Sequence, residues 1–152
     1  LPLLEPLFVP QTREIKSLFH DFNKKRIHQA IVVDEHGGVV GLVTMEDVLE
    51  ELVGEIEDES DKNEELILPT GQGSYIVHSK TTIEELEEYD TTLHFPKEIV
   101  RHKAISLIIL EHFSRFPQKG EKFTLGNMEI LVKKMGKNRI EEILVRKLLQ
   151  NI

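Results

Sequence analysis

The first third of the chain alternates short apolar runs, turn residues and stretches of helical periodicity. Apolar residues recur at helical spacing at Ile15, Leu18, Phe19 and Phe22. This spacing predicts an amphipathic helix over about 12–25, and a second apolar set at spacings of three and four predicts another over about 45–56. Short apolar runs at 7–10, 30–34 and 39–43 are typical of buried strands. The predicted order is strand, helix, strand, strand, helix.

A charged segment at 57–65, with little apolar content, separates this part from a second patterned part. We therefore predict two domains, at residues 1–61 and 62–152. Thr82 followed by Glu85 predicts a capping box at the start of a short helix that ends near Tyr89. The other predicted elements of this domain are a helix over 97–113 and strands over 74–79, 122–125, 129–134 and 140–147. The fold class predicted for the whole chain is α+β.

Charge is distributed unevenly along the chain. The net charge is -8, and residues 1–61 hold five Lys and Arg against 14 Asp and Glu, whereas residues 62–152 hold 14 against 13. The first part is therefore strongly acidic and would be repelled by a phosphate backbone. No concentrated basic stripe compensates in the second part, so we do not expect a nucleic-acid partner.

Several classes of protein are disfavoured by what the sequence lacks. It has no cysteine, no His pair at metal-binding spacing, no Walker loop and no nucleophile elbow. We accordingly expect no enzyme activity. The apolar run near 107–110 is far shorter than the ~20 residues that span a bilayer, and the chain opens at Leu1 without a secretory pattern. We expect a soluble piece excised from a longer protein.

Two stretches of the first domain resemble a known family. The segment 41–47, Gly-Leu-Val-Thr-Met-Glu-Asp, resembles the end of a CBS motif, in which apolar residues precede Ser or Thr and an Asp follows three residues later. The segments 28–38 and 53–59 are similar to the second CBS motif of the CorC/HlyC family, bacterial relatives of the cyclin M magnesium transporters. The segments 74–77 and 116–121 resemble the transporter-associated domain of the same family.

The resemblance implies a cytoplasmic regulatory region of a membrane transporter with a role in magnesium and cobalt efflux. In that family a transmembrane domain and a sister CBS motif lie upstream, and the paired motifs bind an adenine nucleotide, AMP or ATP, with or without magnesium. By analogy with CBS motifs, the backbone near Ile27 and His28 would meet the adenine. The side chains of Thr44 and Asp47 would bond the ribose hydroxyls.

Alternatives remain at each of these positions. Thr44 and Asp47 also have the spacing of a helix cap with an acidic first turn, an arrangement worth about 1 kcal/mol, and both roles can hold together. The acidic run that starts at Glu46 could bind magnesium weakly, or it could be a solvated helix face. The metal-binding residues, if any, are unknown.

Two alternatives concern the function of the chain. The first domain could be a purely structural dimerisation module with a vestigial site. The transporter-associated domain of this family, the accessory domain expected at residues 62–152, resembles a flavin-binding fold. FAD is therefore a second candidate cofactor. A single CBS motif buries little surface, so we expect a homodimer that forms through the exposed helix faces. The side chains expected there are Leu18, Phe22, Leu49 and Val53.

Overall fold

The computed structural model describes residues 6–53 and 66–149. The first unit contains two helices and a three-stranded sheet. Its elements are β1 (Leu7–Pro10), α1 (Ile15–Lys25), β2 (Gln29–Val33), β3 (Val39–Thr44) and α2 (Met45–Val53). This is the predicted order of elements. The predicted continuation of the second helix to residue 56, the charged segment 57–65 and the proposed boundary at residue 61 lie outside the described residues.

The three strands of the first unit lie in the order β1-β2-β3, with β1 parallel to β2 and β2 antiparallel to β3. Strand alternation places Val9 and Ala30 on the face that α1 and α2 cover. The helices contribute buried apolar side chains at positions three and four apart, Leu18, Phe19, Phe22, Val48 and Leu52. Leu18 and Phe22 are therefore core residues and are not on an exposed dimer face as the periodicity had predicted.

The second unit is a five-stranded antiparallel sheet with two helices. Its elements are β4 (Ile67–Gly71), β5 (Ser74–His78), α3 (Ile83–Tyr89), α4 (Ile105–Phe113), β6 (Lys122–Leu125), β7 (Met128–Met135) and β8 (Ile140–Lys147). The strand order is β4-β5-β8-β7-β6. Fully buried residues of α3 and α4 share the core with alternate residues of the central strands, such as Val77, Ile143 and Val145. The predicted α+β class is confirmed.

The capping box predicted at the start of α3 is present. The Glu85 amide donates to Thr82 Oγ1 at 3.1 Å, and the Thr82 amide donates to Glu85 Oε1 at 3.1 Å. The predicted strands at 122–125 and 140–147 have the observed bounds.

The helix predicted over 97–113 is wrong in its first half, because α4 begins only at Ile105. The carbonyls of Arg101 and Lys103 accept hydrogen bonds from the Glu84 and Ile83 amides at 2.9 and 3.1 Å. These carbonyls satisfy the free amides at the start of α3, so they are unavailable to a continuous helix. Similarly, the helix predicted from residue 12 begins at Ile15.

A polar cluster fixes the chain that leaves α3. The Asp90 carboxylate accepts hydrogen bonds from the Thr92 side chain and amide at 2.5 and 2.9 Å, and from the Tyr75 hydroxyl. These donors hold the pKa of Asp90 well below its usual range. The same contact raises the pKa of Tyr75 to about 12, because loss of the phenolic proton would break the bond and place two negative charges together.

Replacing Asp90 with Asn should return the pKa of Tyr75 toward the ordinary value of about 10. The measurement is an absorbance titration of phenolate in the folded protein. The variant Tyr75→Phe identifies which titration step belongs to this residue. A Tyr75 pKa that stays near 12 in Asp90→Asn would show that the carboxylate is not its main cause.

Gly126 permits the close approach of the β6–β7 turn to the segment after α3. Its φ is +59°, and an added Cβ would lie 1.8 Å from the His94 carbonyl oxygen. We expect Gly126→Ala to lower the free energy of unfolding by at least about 2 kcal/mol. Gly120→Ala is the control, because Gly120 also has a positive φ of 92° but open space around it. Urea denaturation that gives equal losses for both variants would contradict the steric explanation.

Candidate functional site

The candidate site lies where β3 passes directly into α2. The Thr44 amide donates to Asp47 Oδ2 at 3.0 Å, and the Asp47 amide donates to Thr44 Oγ1 at 3.2 Å. These reciprocal bonds form a capping box with an aspartate in the third helical position. Thr44 and Asp47 therefore cap α2, which is one of the two roles that their spacing allowed.

The cap leaves hydrogen-bonding capacity unused. Thr44 Oγ1 accepts a hydrogen bond from the Asp47 amide, and a hydroxyl oxygen has two lone pairs, so it can accept one more. The described residues provide no partner for Asp47 Oδ1, and Asp47 is exposed. Hydrogen bonds from the Thr44 amide and side chain lower the pKa of Asp47, so the acceptor stays ionised. Together the two side chains can still accept hydrogen bonds from a neutral polyol.

A backbone hydrogen bond brings the predicted His28 to the same junction. The Met45 amide donates to the His28 carbonyl at 2.7 Å, and Gln29 is the cross-strand partner of Thr44. The chain that enters β2 and the first turn of α2 are thus fixed side by side. The fold brings all four predicted site residues into one region.

A groove of about 400 Å³ opens beside this junction. Its lining is mostly apolar and comes from the chain ahead of β1, the α1–β2 connection and the centres of β2 and β3. The lining residues are Pro6, Leu7, Arg26, Ile27, His28, Gln29, Ala30, Ile31 and Leu42. Ile27 and His28 therefore line the groove, whereas Thr44 and Asp47 lie next to it and are not part of its wall.

Sequence reasoning missed Arg26, which lines the groove and ends α1. Arg26 has φ 55° and ψ 45°, the left-handed conformation that glycine adopts most easily, and its amide donates to the Phe22 carbonyl. The side chain is exposed. The run Lys24-Lys25-Arg26 indicates the end of an amphipathic helix. It does not indicate that Arg26 lines a groove.

The other site interpretations concern metals and membranes. Among residues 6–53 and 66–149, no cluster of three or more His, Asp or Glu side chains is arranged to hold a metal ion. The acidic run beyond Glu51 continues into residues that lie outside this part of the chain. None of the helices described is both long enough and apolar enough to cross a bilayer.

The fold and the junction define a CBS motif followed by a small α+β domain. The family model of the CBS domain matches residues 3–54, and the model of the CorC/HlyC transporter-associated domain matches residues 69–148. The chain belongs to the CorC/HlyC family, as its motifs predicted.

Named relatives agree with this assignment. The chain is 37% identical over 145 residues to the magnesium and cobalt efflux protein CorC of Pasteurella multocida, covering 94% of this chain and 47% of that protein. It is 33% identical over 146 residues to hemolysin C of Brachyspira hyodysenteriae, covering 96% and 54%. The chain thus spans about half the length of these curated relatives.

Solved structures of CBS domains are also similar to part of the chain, and one of them serves as an example. It is the CBS domain of the bacterial CNNM/CorC family Mg²⁺ transporter, 55% identical to this chain, with 35% of this chain and 32% of that chain covered. The TM-score is 0.32.

The lowered pKa of Asp47 predicts a specific pH dependence of stability. Because the folded state favours the ionised carboxylate, its contribution is present above the ordinary pKa of 3.8 and is lost as the pH falls through the lower folded value. Asp47→Asn should therefore be less stable than the unmodified chain at neutral pH, and the difference should shrink in acid. Glu50→Gln makes the same charge change one turn later, and urea denaturation at several pH values compares the three. A constant difference for Asp47→Asn would contradict the assignment.

Proposed function

We propose that this chain is the regulatory part of a membrane transporter of magnesium or cobalt ions and that it binds an adenine nucleotide in the groove beside α2. The observation that carries the proposal is an apolar groove next to a helix start that retains an ionised carboxylate with an unused acceptor oxygen. The names of the relatives support the transport setting. The parent transmembrane domain and the cytoplasmic location belong to the same proposal.

The lining of the groove suits a flat heteroaromatic ring. Ligand sites commonly enclose 300–1,000 Å³ and are mainly apolar with few polar groups, and the groove falls in this range at about 400 Å³. Ile27, Ile31 and Leu42 offer apolar contact, while backbone groups near His28 offer hydrogen bonds that can distinguish adenine from other bases. The ribose would extend from this ring toward the junction.

Thr44 and Asp47 suit the ribose. A carboxylate accepts from two adjacent hydroxyls, and such charge-assisted bonds contribute roughly 1.5 to 3 kcal/mol. Arg26 provides a cation for phosphate, whereas Glu46 is exposed in the first turn of α2 and repels a polyphosphate. AMP, or ATP neutralised by magnesium, therefore fits this charge distribution better than free ATP.

A sister CBS motif would complete the site. Register places Phe8, Ile31 and Leu42 in one row on the sheet face opposite α1 and α2, and Phe8 and Leu42 are more than half exposed. The groove reaches this face through Ile31 and Leu42. A motif packed on it would cover the apolar row and close the groove, so homodimerisation or pairing with an upstream motif would use the sheet instead of the helices.

Calorimetric titration tests the nucleotide proposal. AMP and magnesium-bound ATP should bind, and Asp47→Ala should weaken AMP by about tenfold or more through loss of the hydroxyl contacts. Glu50→Ala is the matched control because it removes an exposed α2 carboxylate one turn away. 2′-Deoxy-AMP should bind the unmodified chain more weakly than AMP, and Asp47→Ala should weaken it less than it weakens AMP, because only one of the two hydroxyl contacts remains to be lost.

Two results would contradict the proposal. Binding of AMP that is equal in Asp47→Ala and the unmodified chain would place the ribose elsewhere. Absence of binding by AMP, ATP and adenosine, in the chain joined to its upstream segment, would favour a structural module with a vestigial site. FAD is included as a ligand, since saturable binding of FAD alone would move the site to the accessory domain.

A further inference from the structure

The second unit carries an apolar row on the sheet face that its helices do not cover. Strand register aligns Leu68 with Ile76, Ile76 with Leu144, and Leu144 with Leu131. Cross-strand partners point to the same side of a sheet, so these four side chains form one line across β4, β5, β8 and β7. Their strand neighbours Val77, Ile143 and Val145 point the other way and are fully buried against the helices.

This apolar row is separate from the core. None of its four residues is among the apolar side chains packed on the core, and Leu68 is 49% exposed. The row ends at β6 with Lys122, which is the partner of Leu131 and carries a largely exposed charge. A charged residue on an edge strand discourages pairing with further strands at that edge. The apolar contact is thereby confined to the face of the sheet.

Charged rows flank the apolar row on both sides. On one side, register pairs Arg146 with Glu129, and their side chains form an ion pair at 2.9 Å. On the other side, at a bulge in β7, it pairs Glu142 with Lys134, whose ammonium forms an ion pair with Glu141 at 3.3 Å. Arg146 and Lys134 have side chains that are 51% and 62% exposed, so both cations are accessible.

The order of these charges is self-complementary. Two sheets can pack face to face about 10 Å apart with their strands nearly aligned. A two-fold axis that runs along the apolar row keeps each strand opposite its own copy and exchanges the two flanking rows. On β8 this places Arg146 opposite Glu142 of the second copy. On β7 it places Glu129 opposite Lys134 of the second copy.

We propose that a second copy of this chain docks on this face, with apolar row on apolar row and with the exchanged charges paired. The two-fold rotation that brings the two apolar rows together also places opposite charges against each other on both central strands, β7 and β8. Each Arg146 then lies between Glu129 of its own chain and Glu142 of the other, which extends the ion pairs of Glu129 with Lys122 and Arg146 across the interface. The patch is small, so we expect a dissociation constant of roughly 10–100 μM.

Charge reversal in two separate variants tests this arrangement. In Arg146→Glu each interface would place Glu opposite Glu142, and in Glu142→Arg each would place Arg opposite Arg146. Each variant alone should dimerise at least about tenfold more weakly than the unmodified chain. In an equimolar mixture both contacts become Glu against Arg, so heterodimers should form with an affinity near that of the unmodified chain. Sedimentation velocity of labelled and unlabelled variants measures all three.

A matched pair of variants controls for net charge. Lys97→Glu and Glu98→Arg make the same charge changes at exposed positions before α4, outside the proposed face. Each alone, and their mixture, should associate like the unmodified chain. Weaker association of each control variant alone, restored in their mixture, would attribute the effect to overall charge and would overturn the proposed register.

Apolar variants separate this face from the sheet face of the CBS motif. Leu144→Glu should abolish association through the second unit, while Leu42→Glu should leave it intact. Circular dichroism establishes that both variants are folded. The proposal would be overturned if the unmodified chain were monomeric at ~100 μM. It would also be overturned by a dimer that is lost in Leu42→Glu but kept in Leu144→Glu. Neither result depends on whether the groove binds a nucleotide.

Discussion

The direct passage of β3 into α2 is the constraint on which the first unit depends. No loop separates Thr44 from Met45, so the first turn of the helix is fixed at the edge of the sheet. The Met45 amide is held by the His28 carbonyl, and the Thr44–Asp47 box satisfies a further amide of the helix start. A helix terminus that is satisfied in this way cannot move without exposing polar groups.

The position of the groove follows from this junction and from the end of α1. The left-handed Arg26 reverses the chain, and the Ile27 amide returns to the Phe22 carbonyl at 3.0 Å. The segment that leaves α1 is thereby delivered to the start of α2. The cap and the candidate ligand site consequently share the same atoms: the bonds that orient Asp47 for capping also keep it ionised and leave one oxygen exposed.

Both units cover one face of a sheet with helices and leave the opposite face partly apolar. In the first unit the uncovered row includes Phe8 and Leu42, and in the second it includes Leu131 and Leu144. Such rows contribute nothing to the core of the isolated chain, and burying them elsewhere is favourable at about 25 cal/mol per Å². The two rows differ in their surroundings, because only the second lies between rows of charge that match under a two-fold rotation.

Local interactions explain which elements could be predicted. The capping box at Thr82 and the helical stripe of α1 depend on residues at most four positions apart, so the sequence contains the whole cause. The strand β4 was not predicted, since Pro69 and Gly71 interrupt its pattern and its hydrogen bonds come from β5. Residues 97–104 have helical composition but form turns, because Arg101 binds the Pro96 and Ile99 carbonyls with its guanidinium.

The sequence by itself determined the family, the α+β class, the order of elements in the first unit and the four candidate site residues. Only the tertiary structure decided that Leu18 and Phe22 are buried, that Arg26 lines the groove and that Leu68, Ile76, Leu144 and Leu131 form a row. The reason is physical. Periodicity records which side of an element is apolar, whereas register and helix packing determine which residues from distant segments meet on that side.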